Sequence, residues 1–521
     1  MKRSTILAAI GGILVGALAV SLFHKAPGRA AVPVNPADWS KLNVILQEVD
    51  KNYVDSIDHA KVTDAAVEAA LAKLDPHSIY LKPETLKESE EDLAGNFDGI
   101  GIQFNVPNDT AIVLEVIPGG PSEKIGLQPG DRILKVDDKV IAGVKFPQDS
   151  MVRRMKGPAG TKVLITVGRD GAVIPFEITR GKIPTHSIDA YFMVDDTTGY
   201  VRLSKFSRTT YKEFSAATMD LLHKGMERII VDLRDNSGGF FDQSLMLSDL
   251  FLPKGACIVY MEGLHREREE YKADGKGYLK DTRLVVLIDD GSASSSEIFA
   301  GAMQDNDRGI LVGRRSFGKG LVQEPLYFSD GSAVRLTVAR FYTPSGRCIQ
   351  KPYDSGYNYE VYERYATGEM TDADSMKVDK SVEYHTVGGR VVYGGGGIIP
   401  DVFVPMDTTK ASRFYVNCNK KATAMRFASW YFDNHKKELS AIDDYQRLLG
   451  YLDRAGLESA FLEFAKSRDG LVPDPKLWAG EKVYMMTQVK GLVGRYSKLG
   501  DKAYYHIFLQ TDETFKKAMS L

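Results

Sequence analysis

Four closely spaced serines follow an apolar run in the middle of the chain. Residues 284–288 read Leu-Val-Val-Leu-Ile, and Ser-Ala-Ser-Ser-Ser-Glu follows at 292–297, ahead of an apolar helical pattern. A serine at such a strand-to-helix junction lies at a helix N-terminus, where unpaired N–H groups suit a developing oxyanion. Ser294 and Glu297 also fit an S-x-x-E capping box, which by itself accounts for a serine here. The segment predicts a serine nucleophile or a helix cap, and the two roles are compatible.

A lysine lies between two glycines in Gly-Arg-Arg-Ser-Phe-Gly-Lys-Gly, residues 313–320. The phosphate-binding loop G-x-x-x-x-G-K-[ST] is nearly matched, but Gly320 replaces the magnesium-binding hydroxyl and residues 321–325 look extended rather than helical. An NTPase is therefore disfavoured. A buried lysine can lose its proton, because desolvation disfavours the ammonium form, so Lys319 is a candidate general base for a serine hydroxyl. A solvated turn lysine is the alternative.

The histidines give little support to a Ser-His-Asp triad. None of the nine lies between Ser294 and Gln323, and His186, His223 and His265 stand in no motif-like setting. The sequence contains no HExxH motif and no cluster of histidine ligands, which disfavours metal-dependent hydrolysis. No metal or organic cofactor is therefore expected.

A predicted strand at residues 228–233 runs into the turn Arg-Asp-Asn-Ser-Gly-Gly at 234–239. A glycine turn at the end of a strand can direct backbone N–H groups at a substrate carbonyl. A plain strand-ending turn is the alternative interpretation.

The elements that would position these segments alternate along the chain. Strands are predicted at 199–203, 228–233, 284–288 and 310–312, and helices at 211–223 and 297–304. This alternation predicts a layered α/β core. Residues 36–93 and those after 412 have helical patterns, whereas the region that begins near residue 98 has strand-like runs and glycine-proline turns. A chain of 521 residues is too long for one hydrophobic core, so several domains are expected.

The N-terminus has the pattern of an export signal. Lys2 and Arg3 precede an uncharged run at residues 5–23. The length of the run is close to the roughly 20 residues that span a bilayer, which slightly favours an uncleaved anchor over a removed signal. The residues that follow would then lie outside the cytoplasm.

Net charge and cysteine content give no indication of a nucleic-acid partner or of a cysteine-based site. A formal net charge of -2 gives no electrostatic reason to expect nucleic acid. The three cysteines are too few and too widely spaced for a disulfide framework or a CxxC metal site.

Together these segments resemble the C-terminal processing, or tail-specific, peptidases. The nucleophile block of that family is similar to residues 291–297, and its base block, Phe-Gly-Lys-Gly-x-x-Gln, is similar to residues 317–323. The resemblance implies a serine endopeptidase that works through a Ser/Lys dyad. The site residues that it implies are Ser294 as nucleophile, Lys319 as general base, Gln323 to orient the lysine amine, and the amides of Ser295 and of Gly238 or Gly239 as oxyanion donors.

Residues 98–182 resemble the PDZ domain of the same family. Gly99, Ile100, Gly101 and Ile102 are similar to its carboxylate-binding loop. Such domains add a peptide strand to a sheet edge and hold the terminal carboxylate on backbone N–H groups, so the resemblance implies polypeptides with accessible C-termini as partners. A structural β unit without a ligand is the alternative.

Three further segments bear on the resemblance. Residues 74–80 (Leu-Asp-Pro-His-Ser-Ile-Tyr) resemble a stretch that precedes this PDZ domain, which favours a structural rather than a catalytic His77. Residues 351–390 form an insertion or a mobile surface segment between 347–350 and 397–401, which look like neighbours in many relatives. The C-terminal region has no clear motif, so the oligomeric state is left open, a homo-oligomer included.

The expected fold is multidomain α/β and α+β, with a helical N-terminal region, a PDZ-like β domain, a layered α/β protease core and a helical C-terminal region. The expected divisions are a signal or anchor segment (1–30), a helical region (31–97), a PDZ-like domain (98–182), the serine protease core (183–350), an insertion (351–396), a return to the core (397–411) and a helical domain (412–521).

The expected function is that of an exported serine endopeptidase. It would recognise polypeptide C-termini through its PDZ domain and hydrolyse peptide bonds through an acyl-enzyme. Its expected location is the periplasmic side of the cell envelope, either secreted or held at the inner membrane by the N-terminal segment. The alternative is a catalytically silent PDZ protein that binds peptides or acts as a chaperone.

Overall fold

The computed structural model describes residues 39–521 apart from 107–108, 118, 354–355, 358, 408–411 and 455. The expected signal or anchor segment, residues 1–30, lies outside the described residues. The chain divides into two compact units that meet in sequence between Ala70 and Leu71. In its described residues, the first unit contains the helix α1 (Ser40–Asn52) and nearly all of the helix α2 (His59–Leu71). No helix in the described ranges is both long enough and apolar enough to cross a bilayer.

A short strand lies near the start of the second unit, within the region 31–97 that was expected to be helical. The strand β1 (Ile79–Leu81) pairs antiparallel with residues 333–335 of a distant strand. The helix α3 (Pro83–Ala94) follows, with a proline in its first turn, where the missing N–H costs nothing. It ends at Gly95, whose φ of 73° requires a left-handed conformation.

The PDZ-like region is a β sheet with two short helices. Its elements are β2 (Asn96–Gly99), β3 (Ile102–Asn105), β4 (Ala111–Val116), α4 (Pro121–Lys124), β5 (Arg132–Val136), β6 (Lys139–Val140), α5 (Gln148–Met155), β7 (Lys162–Arg169), β8 (Ala172–Thr179) and β9 (Gly181–Pro184). The sheet order is β3-β4-β5-β7-β8, with β6 beside β5, so β3 is an edge strand. The pairing of β2 with β9 brings the two ends of the region together. Alternate residues of β7, such as Ile165 and Val167, are buried, as expected for a sheet with one covered face.

The core contains two sheets. Its elements are β10 (Ile188–Met193), β11 (Thr198–Leu203), α6 (Thr210–His223), β12 (Arg228–Asp232), α7 (Phe241–Asp249), β13 (Cys257–Gly263), β14 (Arg266–Lys272), β15 (Arg283–Ile288), α8 (Ser295–Asp305), β16 (Ile310–Gly313), β17 (Leu321–Tyr327) and β18 (Ala333–Tyr342). One sheet joins β1, β18, β13 and β14, with β17 paired to β18. A strand therefore follows Lys319, as the sequence predicted, and not the helix of a phosphate-binding loop.

The second core sheet positions the two glycine- and serine-rich turns. Its order is β10-β11-β12-β15-β16, and the strands from β11 onward are parallel. The apolar strand β15 lies between two parallel neighbours, which explains why almost every residue in it is buried. The carboxyl ends of β12 and β15 are adjacent, so the turn at 234–239 and the serine run start at the same edge.

The rest of the chain adds a small β unit and a helical region. The elements are α9 (Glu360–Ala366), β19 (Tyr384–His385), β20 (Val391–Val392), β21 (Val402–Phe403), α10 (Arg413–Lys420), α11 (Thr423–Asn434), α12 (Lys436–Ser440), α13 (Tyr445–Arg454), α14 (Leu457–Asp469), α15 (Pro475–Gly494), α16 (Gly500–Phe508) and α17 (Glu513–Met519). The strand β21 extends the parallel sheet beside β16. Helices α10 to α16 share one hydrophobic core, whereas Phe515 and Ala518 of α17 pack with Val285 of the core sheet.

Candidate active site

Ser294 occupies a strained turn between β15 and α8. Its φ is 54° and its ψ is -113°, a conformation that non-glycine residues rarely adopt. Such strain persists only where the surroundings impose it, and it is concentrated at functional sites. The N–H of Ser295, the first of α8, donates to no acceptor in the described part of the chain. The turn therefore presents a hydroxyl beside an open amide at a helix N-terminus.

Glu297 ties the serine turn to the lysine loop. Its carboxylate is fully buried and accepts hydrogen bonds from the N–H of Ser294 (2.8 Å), the N–H of Gly318 (2.7 Å), the N–H of Lys319 (2.9 Å) and the hydroxyl of Ser316 (2.5 Å). Burial raises the pKa of Glu297, and these hydrogen bonds act in the opposite direction. The capping-box pattern read in the sequence is thus present in its Glu297 half, and the same carboxylate also reaches a second segment.

The Lys319 amine is held by Gln323. Its Nζ donates to Gln323 Oε1 at 3.1 Å, and Gln323 Nε2 donates to the carbonyl of His77 at 2.5 Å. The His77 carbonyl fixes the amide orientation, because only the nitrogen of the amide can donate to it. Burial lowers the pKa of Lys319, the charge of Arg335 adds to this, and the carboxylate of Glu297 acts in the opposite direction. A lysine in this setting is a better proton acceptor than one in water.

The loop before β1 supports Gln323 from a distant part of the sequence. Asp75 accepts from the N–H groups of His77 (2.7 Å) and Ser78 (2.8 Å), and the Ser78 hydroxyl accepts from the Thr337 N–H at 3.1 Å. The His77 ring is hydrogen-bonded to the Tyr357 hydroxyl. Burial, together with the charge of Lys319, lowers the pKa of His77 to about 4. Its carbonyl rather than its ring faces the site, in line with the structural role expected for His77.

The glycine turn lies directly against Ser294. A Cβ at Gly238 would sit 2.9 Å from the Ser294 Cβ and 2.9 Å from the Ser295 nitrogen, so only glycine fits. The Gly238 N–H donates to Asn236 Oδ1 at 2.9 Å, whereas the Gly239 N–H has no acceptor among the described residues. The two glycines that the sequence could not separate thus differ, and Gly239 has the open amide.

Asn236 holds this turn in place, which the sequence did not indicate. It is fully buried, and its Nδ2 donates to the Leu203 carbonyl at 2.9 Å. Its own carbonyl accepts from the Ala293 N–H at 2.9 Å and from the Ser296 hydroxyl at 2.8 Å. The glycine turn and the serine turn therefore form one hydrogen-bonded assembly.

The predicted catalytic and oxyanion residues line one cleft. Its volume is about 850 Å³, and α3 forms part of its wall. The predicted residues that line it are Ser294, Ser295, Lys319, Gln323, Gly238 and Gly239. A hydroxyl, a desolvated amine and open backbone amides are the groups required for acyl transfer.

The segment at 351–396 packs behind the lysine loop. Arg364 is buried and donates to the carbonyls of Ser316 (2.7 Å) and Phe317 (3.2 Å). Arg315 and Glu369 form a buried pair with two hydrogen bonds of 2.6 Å. In its described residues the segment is therefore an insertion that braces the loop rather than a loose surface element. The segments that flank it meet as expected, since the Gly397 N–H donates to the Ile349 carbonyl at 2.8 Å.

The predicted carboxylate-binding loop of the PDZ-like region lies beside the edge strand β3. The carbonyl of Ile100 accepts from the Ser122 N–H at 3.0 Å, and that of Gly101 accepts from the Ile117 N–H at 3.0 Å. The N–H groups of Ile100 and Gly101 donate to no acceptor in the described ranges. Gly99 ends β2 and Ile102 begins β3, so open amides lie where a strand could be added.

Two further features concern metals and thiols. Among the described residues, no group of three or more His, Cys, Asp or Glu side chains is placed to hold a metal ion. Cys257, Cys348 and Cys418 are all free.

Comparison with known proteins assigns two regions of the chain. Residues 197–357 match the model of peptidase family S41, and residues 99–179 match that of the PDZ domain. Together the two regions define a peptidase that carries a PDZ domain. The chain is 34% identical over 326 residues to the carboxy-terminal processing protease CtpA of Bacillus subtilis, a match that covers 62% of this chain and 69% of the relative.

Another relative and a solved structure extend the comparison. The carboxy-terminal-processing protease of Bartonella bacilliformis is 37% identical over 314 residues, which cover 59% of this chain and 71% of that protein. The photosystem II D1 C-terminal processing protease aligns with a TM-score of 0.39 at 26% identity, over 70% of this chain and 87% of that one.

The chain belongs to peptidase family S41, a family of serine peptidases. The expected family, fold class and enzyme class are thereby confirmed. The roles of the individual site residues stay predictions, although the structure brings all of the predicted cleft residues together.

Proposed function

We propose that this protein is an exported endopeptidase that cuts polypeptides after their C-termini dock on the PDZ domain. The observation that carries the proposal is the shared cleft, which Ser294 and Lys319 both line and in which Gln323 accepts a hydrogen bond from the lysine amine. The lowered pKa of Lys319, caused chiefly by burial, favours the neutral amine that a general base must be.

The proposed reaction follows from these groups. The Lys319 amine accepts the hydroxyl proton of Ser294 as Oγ attacks the scissile carbonyl, and Gln323 Oε1 keeps the amine directed into the cleft. The N–H groups of Ser295 and Gly239 receive the negative charge that forms on the carbonyl oxygen. Lys319 then returns the proton to the leaving amine. In the second half of the reaction a water attacks the acyl-enzyme, Lys319 accepts the proton of that water, and the proton passes to Ser294 Oγ as the ester bond breaks.

Substrate capture is assigned to the edge of the PDZ sheet. An extended C-terminus would pair with β3, and its carboxylate would accept from the open amides of Ile100 and Gly101. Open backbone amides in a glycine-containing loop suit an anion, because they supply partial positive charge without a competing side chain. The names of the relatives, carboxy-terminal processing proteases, support substrates of this kind.

The decisive experiment compares the native protein with Ser294→Ala. Each would be incubated with an unfolded protein, and the products would be mapped by mass spectrometry. We expect the native protein to cleave and Ser294→Ala to lose about 10³-fold or more of the activity while it still binds peptide. Cleavage by Ser294→Ala at the native rate would exclude this nucleophile, and binding without cleavage by the native protein would indicate the chaperone alternative.

We also propose that the protein acts on the periplasmic side of the cell envelope. The proposal rests on the basic and then uncharged run that begins at Lys2. Expression of the full chain followed by cell fractionation should place the protein in the membrane fraction, with the peptidase core open to externally added protease after the outer layer is permeabilised. Recovery of the intact chain in the cytosolic fraction would contradict the proposal.

A further inference from the structure

The wall of the active-site cleft is predominantly basic. The charged side chains that line it, among the described residues, are Glu90, Lys205, Arg208, Lys319 and Arg335. If Lys319 is neutral in the active form, the guanidinium groups of Arg208 and Arg335 still lie with the carboxylate of Glu90 in the wall of the cleft. A concave site lined by one sign of charge attracts the opposite charge, and its low-dielectric walls strengthen that attraction.

Arg335 lies partly buried on the cleft side of β18. Its Nη2 donates to the Ser89 hydroxyl of α3 at 2.8 Å. Burial is the main cause of the lowered pKa of Lys319, and the charge of Arg335 lowers that pKa further. No carboxylate of the described residues forms an ion pair with it. A partly buried guanidinium whose partner is a neutral hydroxyl keeps several donors free for an anion.

Arg208 approaches from another element, the segment between β11 and α6. Its guanidinium lies 4.6 Å from the centre of the Phe240 ring, which also lines the cleft. It too lacks an ion-pair partner in the described ranges. Stacking on an aromatic ring fixes the plane of a guanidinium and leaves its N–H edge free to bind.

The one acidic group of the wall, Glu90, is already engaged. Its Oε1 accepts from the Tyr327 hydroxyl at 3.0 Å. That hydrogen bond raises the pKa of Tyr327, and the charges of Arg335 and Arg208 act against the rise. Both arginines line the same cleft as the Glu90–Tyr327 pair, and their charges act on it.

We propose that Arg208 and Arg335 form a carboxylate-binding subsite beside the Ser294–Lys319 pair. The ligand is a carboxylate of the polypeptide being cut, either an Asp or Glu side chain near the scissile bond or the free C-terminus itself. The proposal rests on the peptidase function proposed above and adds a specificity at the cleft that is separate from capture by the PDZ domain.

The experiment uses matched peptides and the native protein. A peptide that spans one mapped cleavage site would be made with Asp or Asn at each flanking position, and with a free or an amidated C-terminus. We expect the best Asp peptide, or the free-acid peptide, to have a kcat/KM about tenfold above its neutral partner. The Asp–Asn pair and the acid–amide pair distinguish the two sources of the carboxylate.

Ionic strength provides a check that needs no variant. The preference for the charged peptide should fall as salt is raised from low to physiological concentration, because the subsite is open to solvent. A preference that does not depend on salt would contradict charge recognition.

Variants locate the preference on the two arginines. In Arg208→Gln combined with Arg335→Gln, the ratio of kcat/KM between charged and neutral peptides should fall to about one, and the ratio cancels any effect of Arg335 on Lys319. Arg335→Lys, which keeps the charge, should retain part of the preference. Arg340→Gln is the matched control, since this arginine is on the same strand but does not line the cleft, and it should leave the ratio unchanged.

The outcomes separate the two proposals. Equal cleavage of charged and neutral peptides that is abolished by Ser294→Ala would overturn the subsite and leave the peptidase function standing. A charge preference that survives in the double glutamine variant would also overturn the assignment to these arginines. Absence of cleavage of every peptide would remove the peptidase function and the subsite with it.

Discussion

The buried Glu297 site of the peptidase core and the PDZ loop treat backbone amides in opposite ways. At the Glu297 site, the amides of Ser294, Gly318 and Lys319 converge on a carboxylate of the chain itself. In the PDZ loop, the amides of Ile100 and Gly101 donate to no acceptor in the described part of the chain. A carboxylate held by amides is thus an internal brace in one region and, in our proposal, the recognised ligand in the other.

This difference explains why the Glu297 carboxylate can be buried, whereas the amides of the PDZ loop must be accessible to a ligand. The Glu297 carboxylate is fully buried, and its oxygens accept four hydrogen bonds. These hydrogen bonds offset the free-energy cost of removing the charge from water and fix the serine turn relative to the lysine loop. The PDZ amides stay beside an edge strand, where a ligand can reach them. Four changes test this contrast.

The largest effect is expected at the amine that the internal brace positions. Lys319→Arg keeps the positive charge but cannot give up a proton, because the guanidinium pKa lies above 12. The variant should lose about 10²- to 10⁴-fold in kcat while peptide binding to the PDZ domain is unchanged. Peptide cleavage and fluorescence anisotropy would be measured in parallel. A variant with near-native turnover would show that the base is another group.

The brace itself is tested by Glu297→Gln. The glutamine side chain would replace one carboxylate oxygen with an NH2 group, which would face backbone N–H donors instead of accepting from them. The free energy of unfolding should therefore fall by about 3 kcal/mol. Denaturant unfolding measures the loss, and Glu88→Gln, at an exposed position of α3, should change stability by less than about 0.5 kcal/mol. Equal stability of the two variants would mean that Glu297 does not brace the loops.

A new charge beside the amine should shift the pH dependence. In Gln323→Glu the carboxylate would favour the ammonium form of Lys319 and raise its pKa by about 1–3 units. Because the neutral amine is the active form, the acidic limb of the profile of kcat/KM should move to higher pH. Gln323→Ala, which removes the contact without adding a charge, should slow turnover without that rise. An unmoved limb in Gln323→Glu would argue against Lys319 as the titrating base.

The smallest effect is expected in the PDZ loop. Gly101 has a φ of 78°, and a Cβ there would meet the Ile183 side chain at 3.0 Å, so Gly101→Ala should distort the open amides. Affinity for a free-acid peptide should fall about tenfold, towards that of the amidated peptide. Gly171→Ala carries similar strain at a φ of 84° with nothing near the new methyl, and it should bind normally. Loss of binding in both variants would point to general destabilisation.

The sequence predicts the groups that could react and, through the family resemblance, Gln323 as the residue that orients the lysine amine, but it gives no sign of the other groups that hold them. Ser294 and Lys319 stand in short motifs whose residue types indicate chemistry, and the glycine turn follows a predicted strand, whereas the role of Gln323 is implied by the family resemblance alone. Glu297 was seen as a cap because its partner is three residues away, while its contacts with the lysine loop cross a longer stretch of sequence. Contacts of that kind leave no periodic pattern in a single sequence.

The same limit applies to the loop before β1 and to the insertion. The His77 carbonyl accepts from Gln323, which lies 246 residues later in the sequence. Arg364 donates to the Ser316 carbonyl from a segment with only weak periodicity in the sequence. The choice between Gly238 and Gly239 depended on the side chain of Asn236, a single hydrogen bond that spacing cannot reveal.

The position of Glu297 has a mechanical consequence. Because one carboxylate grips the turn of the attacking hydroxyl and the loop of the proton acceptor at once, thermal displacement of either segment must carry the other with it. Thermal motion would then move the serine turn and the lysine loop together relative to the substrate. The distance between the two segments would change less.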